Sequence, residues 1–212
     1  MTAALNPRAA YELWAETYPA EAHNPLMAAE QTIVTRILTH IRSRRALDVG
    51  TGSGRYLPIL ESRAPCVVGI DLSMAMLARG SHRHRVLGDA CCLPFPPAAF
   101  DLINASLMVG DVVDLPAWTR EMARVLSRGG RMVYSDFHPT WSQLGWERTF
   151  RTAAGARHSV AFTPHTIEEH LAALASAGFG ISAIREPRLK IRGADTPVVA
   201  IFHAVKVREA AR

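Results

Sequence analysis

The sequence predicts an α/β protein with a doubly wound, mainly parallel sheet of seven strands, an N-terminal helical cover and a small insert after the fifth strand. Up to residue 138, short apolar runs alternate with helical segments. The runs "CVVGI" and "LINAS" are apolar throughout, as strands are when helices cover both faces of a sheet. Because right-handed crossovers join such strands, the alternation favours parallel pairing.

Five runs are predicted as strands of this sheet, and three segments between them as helices. The strands are 45–50, 66–71, 85–87, 100–106 and 130–137. The helices are 54–61, 73–80 and 116–127. The third helix places Trp118, Met122 and Val125 on one face, and "SRGG" follows as its stop.

The alternation ends after residue 137. Residues 148–162, "RTFRTAAGARHSVAF", predict two strands around a small-residue turn at 153–156. A helix over 166–177 should end at Gly178, and strands at 181–185 and 198–205 should pair antiparallel through "PRLKIRGADTP". The first forty residues are mostly helical, with a break at Asn24–Pro25.

Composition narrows the function classes. The net charge is +5, but the arginines are scattered and form no dense stripe with aromatics, so nucleic acid is not the expected partner. No apolar run approaches the roughly 18 residues of a membrane span, and the N-terminus lacks a signal-peptide core. We therefore expect a soluble cytoplasmic protein. The three cysteines, Cys66, Cys91 and Cys92, are expected to be reduced and buried.

A glycine loop follows the first predicted strand. It has the pattern D-x-G-x-G-x-G, from Asp48 to Gly54, and not the G-x-G-x-x-G of a dinucleotide site. Glycines let the loop turn tightly and let a ligand approach the backbone. Asp48 would repel a pyrophosphate, but it could hold an ammonium group, directly or through water. The loop therefore favours a ligand with an amino-acid end.

The next two strands also end in acids. Asp71, at the tip of the second strand, could accept both hydroxyls of a ribose. Asp89, after the third strand, could accept from an adenine amino group, with the N–H of Ala90 nearby. In a doubly wound sheet these strand tips meet at one edge, where ligands bind. Ammonium, ribose and adenine sites in this order indicate S-adenosylmethionine.

Residues 47–138 resemble the class I S-adenosylmethionine-dependent methyltransferases, in the branch of small quinone- and biotin-pathway enzymes. The resemblance rests on "LDVGTGSGRY", "VVGIDLSMAML", "GDACCLPFPPAAFDLINASLMV" and "EMARVLSRGGRMVYSDFHP", and it implies a Rossmann-like methyltransferase fold. "YELWAETYPAEAHNPL" resembles the lid of that family, where Tyr11, Trp14 and Tyr18 would cover the donor. The implied donor-binding residues are Asp48, Gly50, Thr51, Gly52, Gly54, Asp71, Leu72, Met76, Asp89, Ala90, Ser106, Tyr11 and Tyr18.

The resemblance also suggests how a single domain over 1–212 is divided. A helical lid would cover 1–43, the donor-binding core 44–138, an acceptor-side insert 139–165, and a C-terminal helix with antiparallel strands 166–212. In the insert, Trp141 and Trp146 offer flat apolar walls, while Arg148 and His165 could meet an anionic group of the acceptor.

Methyl transfer is an in-line displacement at a sulfonium, so positioning and exclusion of water can supply most of the acceleration. His138, at the end of the fifth strand, is the candidate base for an acceptor that arrives protonated. It could instead contact the acceptor or be a loop histidine with local partners. Asp136 is expected to be structural or to orient a neighbour.

Two kinds of acceptor are discounted. Methylation of an adenine or glutamine amino group usually follows an Asn/Asp-Pro-Pro-aromatic turn, but this chain has Asn104-Ala105-Ser106-Leu107 there. Cytosine C5 methylation needs a nucleophilic cysteine after a proline at that place, and this chain has none there.

A metal site is not expected, because His82 and His84 have no further ligand pattern near them.

The leading hypothesis is methyl transfer to oxygen or activated carbon of a small organic acceptor, by a monomer or homodimer. A carboxylate would suit the biotin-pathway resemblance, and a phenol or enolate the quinone-pathway one. The alternatives are a non-catalytic S-adenosylmethionine-binding regulator and an RNA methyltransferase.

Overall fold

The computed structural model describes residues 4–208 and has a seven-stranded sheet at its centre. The strands are β1 (Arg45–Val49), β2 (Cys66–Asp71), β3 (Arg85–Leu87), β4 (Phe100–Ser106), β5 (Leu126–Phe137), β8 (Phe179–Arg185) and β11 (Val199–Lys206). Their order is β3-β2-β1-β4-β5-β11-β8, and β11 runs antiparallel to both of its neighbours, while the other pairs are parallel. The predicted doubly wound, mainly parallel sheet is confirmed.

Helices cover both faces of the sheet. Five of them begin at an asparagine, serine, aspartate or threonine whose side chain accepts a hydrogen bond from a free backbone N–H of the first turn. The helices are α1 (Pro7–Trp14), α2 (Pro25–Thr39), α3 (Leu57–Glu61), α4 (Met74–Arg79), α5 (Leu115–Val125), α6 (Thr140–Gln143) and α7 (Ile167–Ser176). A 3₁₀ helix covers Val109–Asp111.

Two element boundaries differ from the prediction. Helix α3 begins at Leu57 and not at residue 54, because the preceding residues form the turns of the glycine loop. The predicted "SRGG" stop after α5 lies inside β5, which begins at Leu126. Gly129 has φ of 77° there, and the pairing with β4 shifts register, so an irregular strand start replaces the expected loop.

Two small hairpins lie outside the sheet. The first pairs β6 (Arg148–Arg151) with β7 (Arg157–Val160), as predicted. The second pairs β9 (Arg188–Ile191) with β10 (Ala194–Pro197), within the connection "PRLKIRGADTP", for which no strand was predicted. Arg192 and Gly193, with φ of 50° and 84°, form its two-residue turn, a geometry that suits a tight hairpin.

The burial predicted for the cysteines is wrong. Cys66, Cys91 and Cys92 are all exposed thiols. Cys66 is the first residue of β2, before the strand enters the core, and the other two lie in a turn that begins at Asp89. These positions, at the start of a strand and in a turn, leave the thiols exposed, although cysteine is usually buried.

The apolar core has one layer on each side of the sheet and a small third cluster. One layer includes Trp118 of α5 and Leu174 of α7, and the other includes Val34 and Leu38 of α2. The third cluster joins Ala10 of α1 to Phe150 and Val160 of the first hairpin. The lid helix and the insert thus pack as one cover. None of the helices within residues 4–208 combines the length and apolar character needed to cross a membrane.

Candidate active site

A cavity of about 790 Å³ lies at the carboxyl ends of the parallel strands, under the cover formed by α1 and the first hairpin. One end is bounded by the glycine loop and the tips of β2 and β3, and we call it the donor end. The other end is bounded by aromatic side chains after β5 and by the second hairpin, and we call it the acceptor end. The two ends are continuous, so two ligands could meet inside.

The glycine loop forms the floor of the donor end. Gly50 and Gly52 have φ of 66° and 56°, a conformation that other residues rarely adopt. A Cβ at Gly50 would lie 2.8 Å from the Cβ of Met108, so a side chain there would not fit. The loop is held by Asp71, whose Oδ2 accepts from the N–H of Gly52 at 2.7 Å and whose Oδ1 accepts from the N–H of Ser73 at 2.9 Å.

Asp48 lies behind this loop and not in the main cavity. Its Oδ2 accepts from the hydroxyl of Thr51 and its Oδ1 from the amide of Asn104, both at 2.7 Å. Burial raises the pKa of the Asp48 carboxyl to about 6, although these hydrogen bonds oppose the shift. The same residue borders a small pocket of about 40 Å³ beside the loop. Asp48 therefore orders the loop and faces only this small pocket.

Most predicted donor-binding residues line the main cavity. Asp71 is mostly buried, and burial raises the pKa of its carboxyl. Thr51 and Gly54 do not line the main cavity. Thr51 is buried and donates to Asp48, and Gly54 packs so closely against Leu57 that an added Cβ would meet that side chain. The predicted residues that do line it are Gly50, Gly52, Asp71, Leu72, Met76, Asp89, Ala90, Ser106, Tyr11 and Tyr18.

The acceptor end has a fixed aromatic wall. The rings of Trp141 and Trp146 meet edge to face with centroids 5.1 Å apart. The ring centroid of Phe137 lies 4.6 Å from that of Trp141. The indole N–H of Trp141 donates to the carbonyl of Val198 at 3.1 Å, which fixes the ring. The second hairpin adds Leu189 to this end. Trp141 and Trp146 thus form a wall of the cavity, and their contact with an acceptor stays a prediction.

Arg148 lines the cavity but already has a partner within the protein. Its guanidinium forms a buried ion pair with Asp111 and donates to the hydroxyl of Tyr11. Burial would lower the pKa of Arg148, but Tyr11 and Asp111 raise it above its ordinary value. The contact joins the insert, the 3₁₀ helix and the lid. An anionic group of the acceptor would have to compete with Asp111 for the guanidinium of Arg148.

The two candidate histidines lie outside the cavity lining. Nε2 of His138 lies 2.8 Å from Oε1 of Glu186, and Nδ1 lies 3.1 Å from the hydroxyl of Thr140. Nε2 of His165 lies 2.9 Å from the carbonyl oxygen of Val112. Neither side chain borders the space where an acceptor would lie. The geometry agrees with the alternative that His138 is a loop histidine with local partners.

The sequence analysis missed several charged residues of the site, of which Asp111, Arg55 and Glu30 have the most partners within it. Asp111 follows β4 and Arg55 follows the glycine loop, and both line the cavity. Glu30 of α2 is fully buried behind Arg55 and accepts hydrogen bonds from Tyr56 and Ser135. The only signal for Arg55 was its place directly after Gly54. Glu30 sits in an otherwise ordinary amphipathic helix and gave no signal.

Comparison with known proteins agrees with this architecture. Residues 47–134 match the methyltransferase domain family. A demethylmenaquinone methyltransferase of Mycolicibacterium gilvum is 40% identical over 95 residues, which are 44% of this chain and 42% of that protein. The chain thus matches less than half the length of this curated relative.

Solved structures share the fold over most of the chain. An S-adenosylmethionine-dependent methyltransferase from Mesorhizobium loti has a TM-score of 0.68 at 24% identity, over 84% of this chain and 97% of that one. The [4+2]-cyclase SpnF has a TM-score of 0.69 at 19% identity, over 96% of both chains. One fold therefore carries more than one chemistry.

The sheet order and the glycine loop agree with this match. Residues 47–134 are thus similar to a methyltransferase domain, and most of the chain has the fold of solved S-adenosylmethionine-dependent methyltransferase structures.

Proposed function

We propose that the protein transfers a methyl group from S-adenosylmethionine to a small organic acceptor with an electron-rich aromatic ring. The observation that carries this proposal is the single cavity that connects the glycine loop with the wall of Trp141, Trp146 and Phe137. The name of the Mycolicibacterium relative, a demethylmenaquinone methyltransferase, supports a quinol-type acceptor, because a demethylmenaquinone carries a quinone ring that lacks a methyl group.

In this proposal the donor end holds the donor by its polar groups. Asp71 would accept from the ribose hydroxyls, and Asp89 with the N–H of Ala90 would bind the adenine. The backbone at Gly50 and Gly52 would border the methionyl chain. Asp71 serves two purposes, because the same carboxylate orders the loop.

The reaction would be an in-line displacement. The acceptor atom forms a bond to the methyl carbon while the carbon–sulfur bond breaks, and the thioether leaves as a neutral group. An anionic acceptor loses charge in this step, so a dry, apolar acceptor end favours it. The residues that exclude water would be Trp141, Trp146 and Leu189.

The quinol-type acceptor would enter as its anion, with its hydroxyl proton released to solvent. After attack by a ring carbon, the hydrogen on that carbon would leave to solvent as a proton and the ring would become aromatic again. We assign no base, since His138 lies outside the cavity lining.

The test is an assay with donor carrying a labelled methyl group and two kinds of acceptor: reduced naphthoquinones and long-chain carboxylic acids. We expect label on the naphthoquinol ring, located by mass spectrometry. Label on the carboxylate would contradict the aromatic assignment. Donor binding with no labelled product from any acceptor in a metabolite extract would favour the non-catalytic regulator.

A pair of variants ties the activity to the aromatic wall. Trp141→Ala should lower kcat/KM for the acceptor by about tenfold or more through lost contact area, with donor affinity unchanged. Leu144→Ala is the matched control, because Leu144 belongs to the same insert but is exposed and does not line the cavity. Equal activity of the two variants would mean that the wall of Trp141, Trp146 and Phe137 does not contact the acceptor.

A further inference from the structure

His170 and Asp136 form a buried pair that the proposed function leaves unused. His170 lies on α7 and Asp136 near the end of β5, and their side chains are 1% and 2% exposed. Nε2 of His170 lies 3.3 Å from Oδ2 of Asp136. Neither atom has a hydrogen-bond partner among residues 4–208. A buried carboxylate with few partners is costly, so the pair needs a reason beyond packing.

The surroundings of His170 suit its protonated form. Nδ1 lies 3.2 Å from the hydroxyl oxygen of Tyr134, on the side of the ring away from Asp136. Both ring nitrogens therefore face an oxygen atom. An imidazolium can donate to both oxygens at once, whereas a neutral imidazole has a single N–H. Protonation would also place a positive charge beside Asp136 and cancel its negative charge.

Few other charges face this pair. Phe202 of β11 packs on the His170 ring with centroids 4.7 Å apart, and α5 meets α7 through the uncharged Thr119. The titratable groups around His170 on the packed elements are Tyr134 and Asp136 of β5, His165 before α7, Glu169 of α7 and Asp111 of the 3₁₀ helix. Glu169 is exposed and bonded to the N–H of Thr166, so Asp136 is the acid that governs the charge here.

Asp136 connects the pair to the acceptor end of the cavity. It lies directly under the 3₁₀ helix, where a Cβ on Gly110 would be 3.1 Å from its Oδ1. The next residue of that helix, Asp111, lines the cavity and pairs with Arg148. Burial raises the pKa of the Asp111 carboxyl, and the negative charge of Asp136 adds to this shift. The charge of Asp136 therefore acts on the residues that an acceptor would meet.

The balance of charge beneath the acceptor end depends on His170. With a neutral His170, the positive charge of Arg148 lies among the two negative charges of Asp111 and Asp136. With a protonated His170, the four charges cancel. An anionic acceptor is repelled in the first state and not in the second, because charges in a partly buried site interact over several ångströms with little screening.

We propose that His170 and Asp136 are positioning residues that balance the charge beneath the acceptor end: the protonated pair admits an anionic aromatic acceptor, and the pair with neutral His170 disfavours it. The proposal rests on the proposed function, because it takes the acceptor to be an anion. Both residues act through Asp111 and Arg148, and neither exchanges a proton with the acceptor.

The first experiment uses the unmodified protein, saturated with S-adenosylhomocysteine, and titration calorimetry with two probes, 1-hydroxy-2-naphthoate and its neutral carboxamide. The carboxylate keeps its charge from about pH 5.5 to about pH 8.5, the range in which histidines titrate. Its affinity should fall by about tenfold as pH rises, the order expected for one unit charge in a partly buried site, while the affinity of the carboxamide stays level. Equal pH dependence of the two probes would overturn the proposal, whether or not any variant folds.

The second experiment uses two variants that change the charge in opposite directions. His170→Gln is neutral at every pH, so it should bind 1-hydroxy-2-naphthoate as weakly as the parent does at high pH. Asp136→Asn lacks the negative charge and should bind this probe tightly at high pH as well. A merely structural pair would weaken binding in both variants, and that result would overturn the assignment.

His23→Gln is the matched control, because His23 is the histidine among the described residues that line the cavity. This variant should keep the pH dependence of the parent. If the dependence disappears with His23, the titrating group is not His170 and the proposal is wrong.

Nuclear magnetic resonance identifies the titrating group directly. The imidazole signal of His170, recognised by its absence from His170→Gln, should titrate over the pH range in which the affinity changes. In Asp136→Asn the same signal should titrate at a lower pH, because the imidazolium has lost its counter-charge. A signal that titrates outside that range, or that does not respond to Asp136→Asn, would refute the pairing.

The two proposals fail in different ways. If the parent protein binds neither probe at any pH, the acceptor end does not hold an aromatic ring, and the proposed function fails together with the role of His170. If it binds both probes with the same pH dependence, the proposed function stands and the role of His170 alone is refuted.

Discussion

The donor end and the acceptor end of the cavity are built differently. At the donor end, backbone N–H groups and the acids at strand tips come from three successive strand–helix turns, and Asp71 holds Gly52 across only 19 residues. At the acceptor end, Arg148 pairs with Asp111 across 37 residues and with Tyr11 across 137. The donor end is thus a product of the fold, while the acceptor end is assembled from the lid and both hairpins.

This difference explains why such a fold accepts varied chemistry. Loops and hairpins beyond the sheet tolerate sequence change more readily than the elements that they connect. The [4+2]-cyclase with the same fold illustrates the point. The following variants test whether the two ends differ in their energetics as they do in their construction.

The largest effect is expected for Asp111→Asn at the acceptor end. The ion pair is buried, with Arg148 and Asp111 side chains 5% and 13% exposed, so the variant leaves a buried guanidinium without its counter-charge. The free energy of unfolding in urea should fall by about 3–5 kcal/mol. Asp195→Asn breaks an exposed pair with Arg188 and should cost less than about 1 kcal/mol. Equal losses would mean that burial adds nothing at the acceptor end.

A pH effect is expected from Asp48 at the donor end. The folded pKa is about 6, above that of the unfolded chain, so the unfolded state loses its proton first as pH rises. Stability relative to Asp48→Asn should therefore fall between about pH 4 and pH 6, by up to about 3 kcal/mol, and then stay level. Urea unfolding of both proteins across this range measures the difference.

Asp101 provides the control of opposite sign. Burial would raise the pKa of its carboxyl, but hydrogen bonds from Ser43 and from the N–H groups of Arg45 and Arg44 lower it overall. Stability relative to Asp101→Asn should therefore be present at neutral pH and be lost as pH falls below about 4. The same sign for both aspartates would contradict the buried state of Asp48.

Asp71→Ala should weaken binding of S-adenosylhomocysteine by about 1–3 kcal/mol, because the N–H of Gly52 and the donor's ribose would both lose an acceptor. Calorimetry measures the affinity. Asp71→Asn, which can still accept one of these bonds, should lose less. Full affinity of the alanine variant would reject the ribose assignment and separate the glycine loop from the donor.

The smallest effect is expected for His138→Ala. Because both ring nitrogens already face Glu186 and Thr140, the variant should change donor affinity and the pH profile of turnover little. Stability should change by less than about 1 kcal/mol, because Glu186 is half-exposed. Loss of one limb of the pH profile would restore His138 as the base.

The sequence predicted the sheet more fully than the cover. The first four strands were predicted from short apolar runs, and their boundaries agree with the structure to within a residue. The second hairpin was missed, although Arg192–Gly193 is a plausible tight turn, because its flanking residues alternate weakly. His138 was placed at the correct strand end, but the direction of its ring depends on Glu186, 48 residues away.

By itself the sequence determined the alternating α/β pattern, the bare loop at the tip of β1 and the acids after β2 and β3, because these features depend on neighbours within one turn of chain. The tertiary structure alone decided which charges are free and which are paired. Asp111 neutralises Arg148, whereas Glu30 holds only one side of Arg55. Such pairing depends on segments brought together by the packed core, and no local pattern records it.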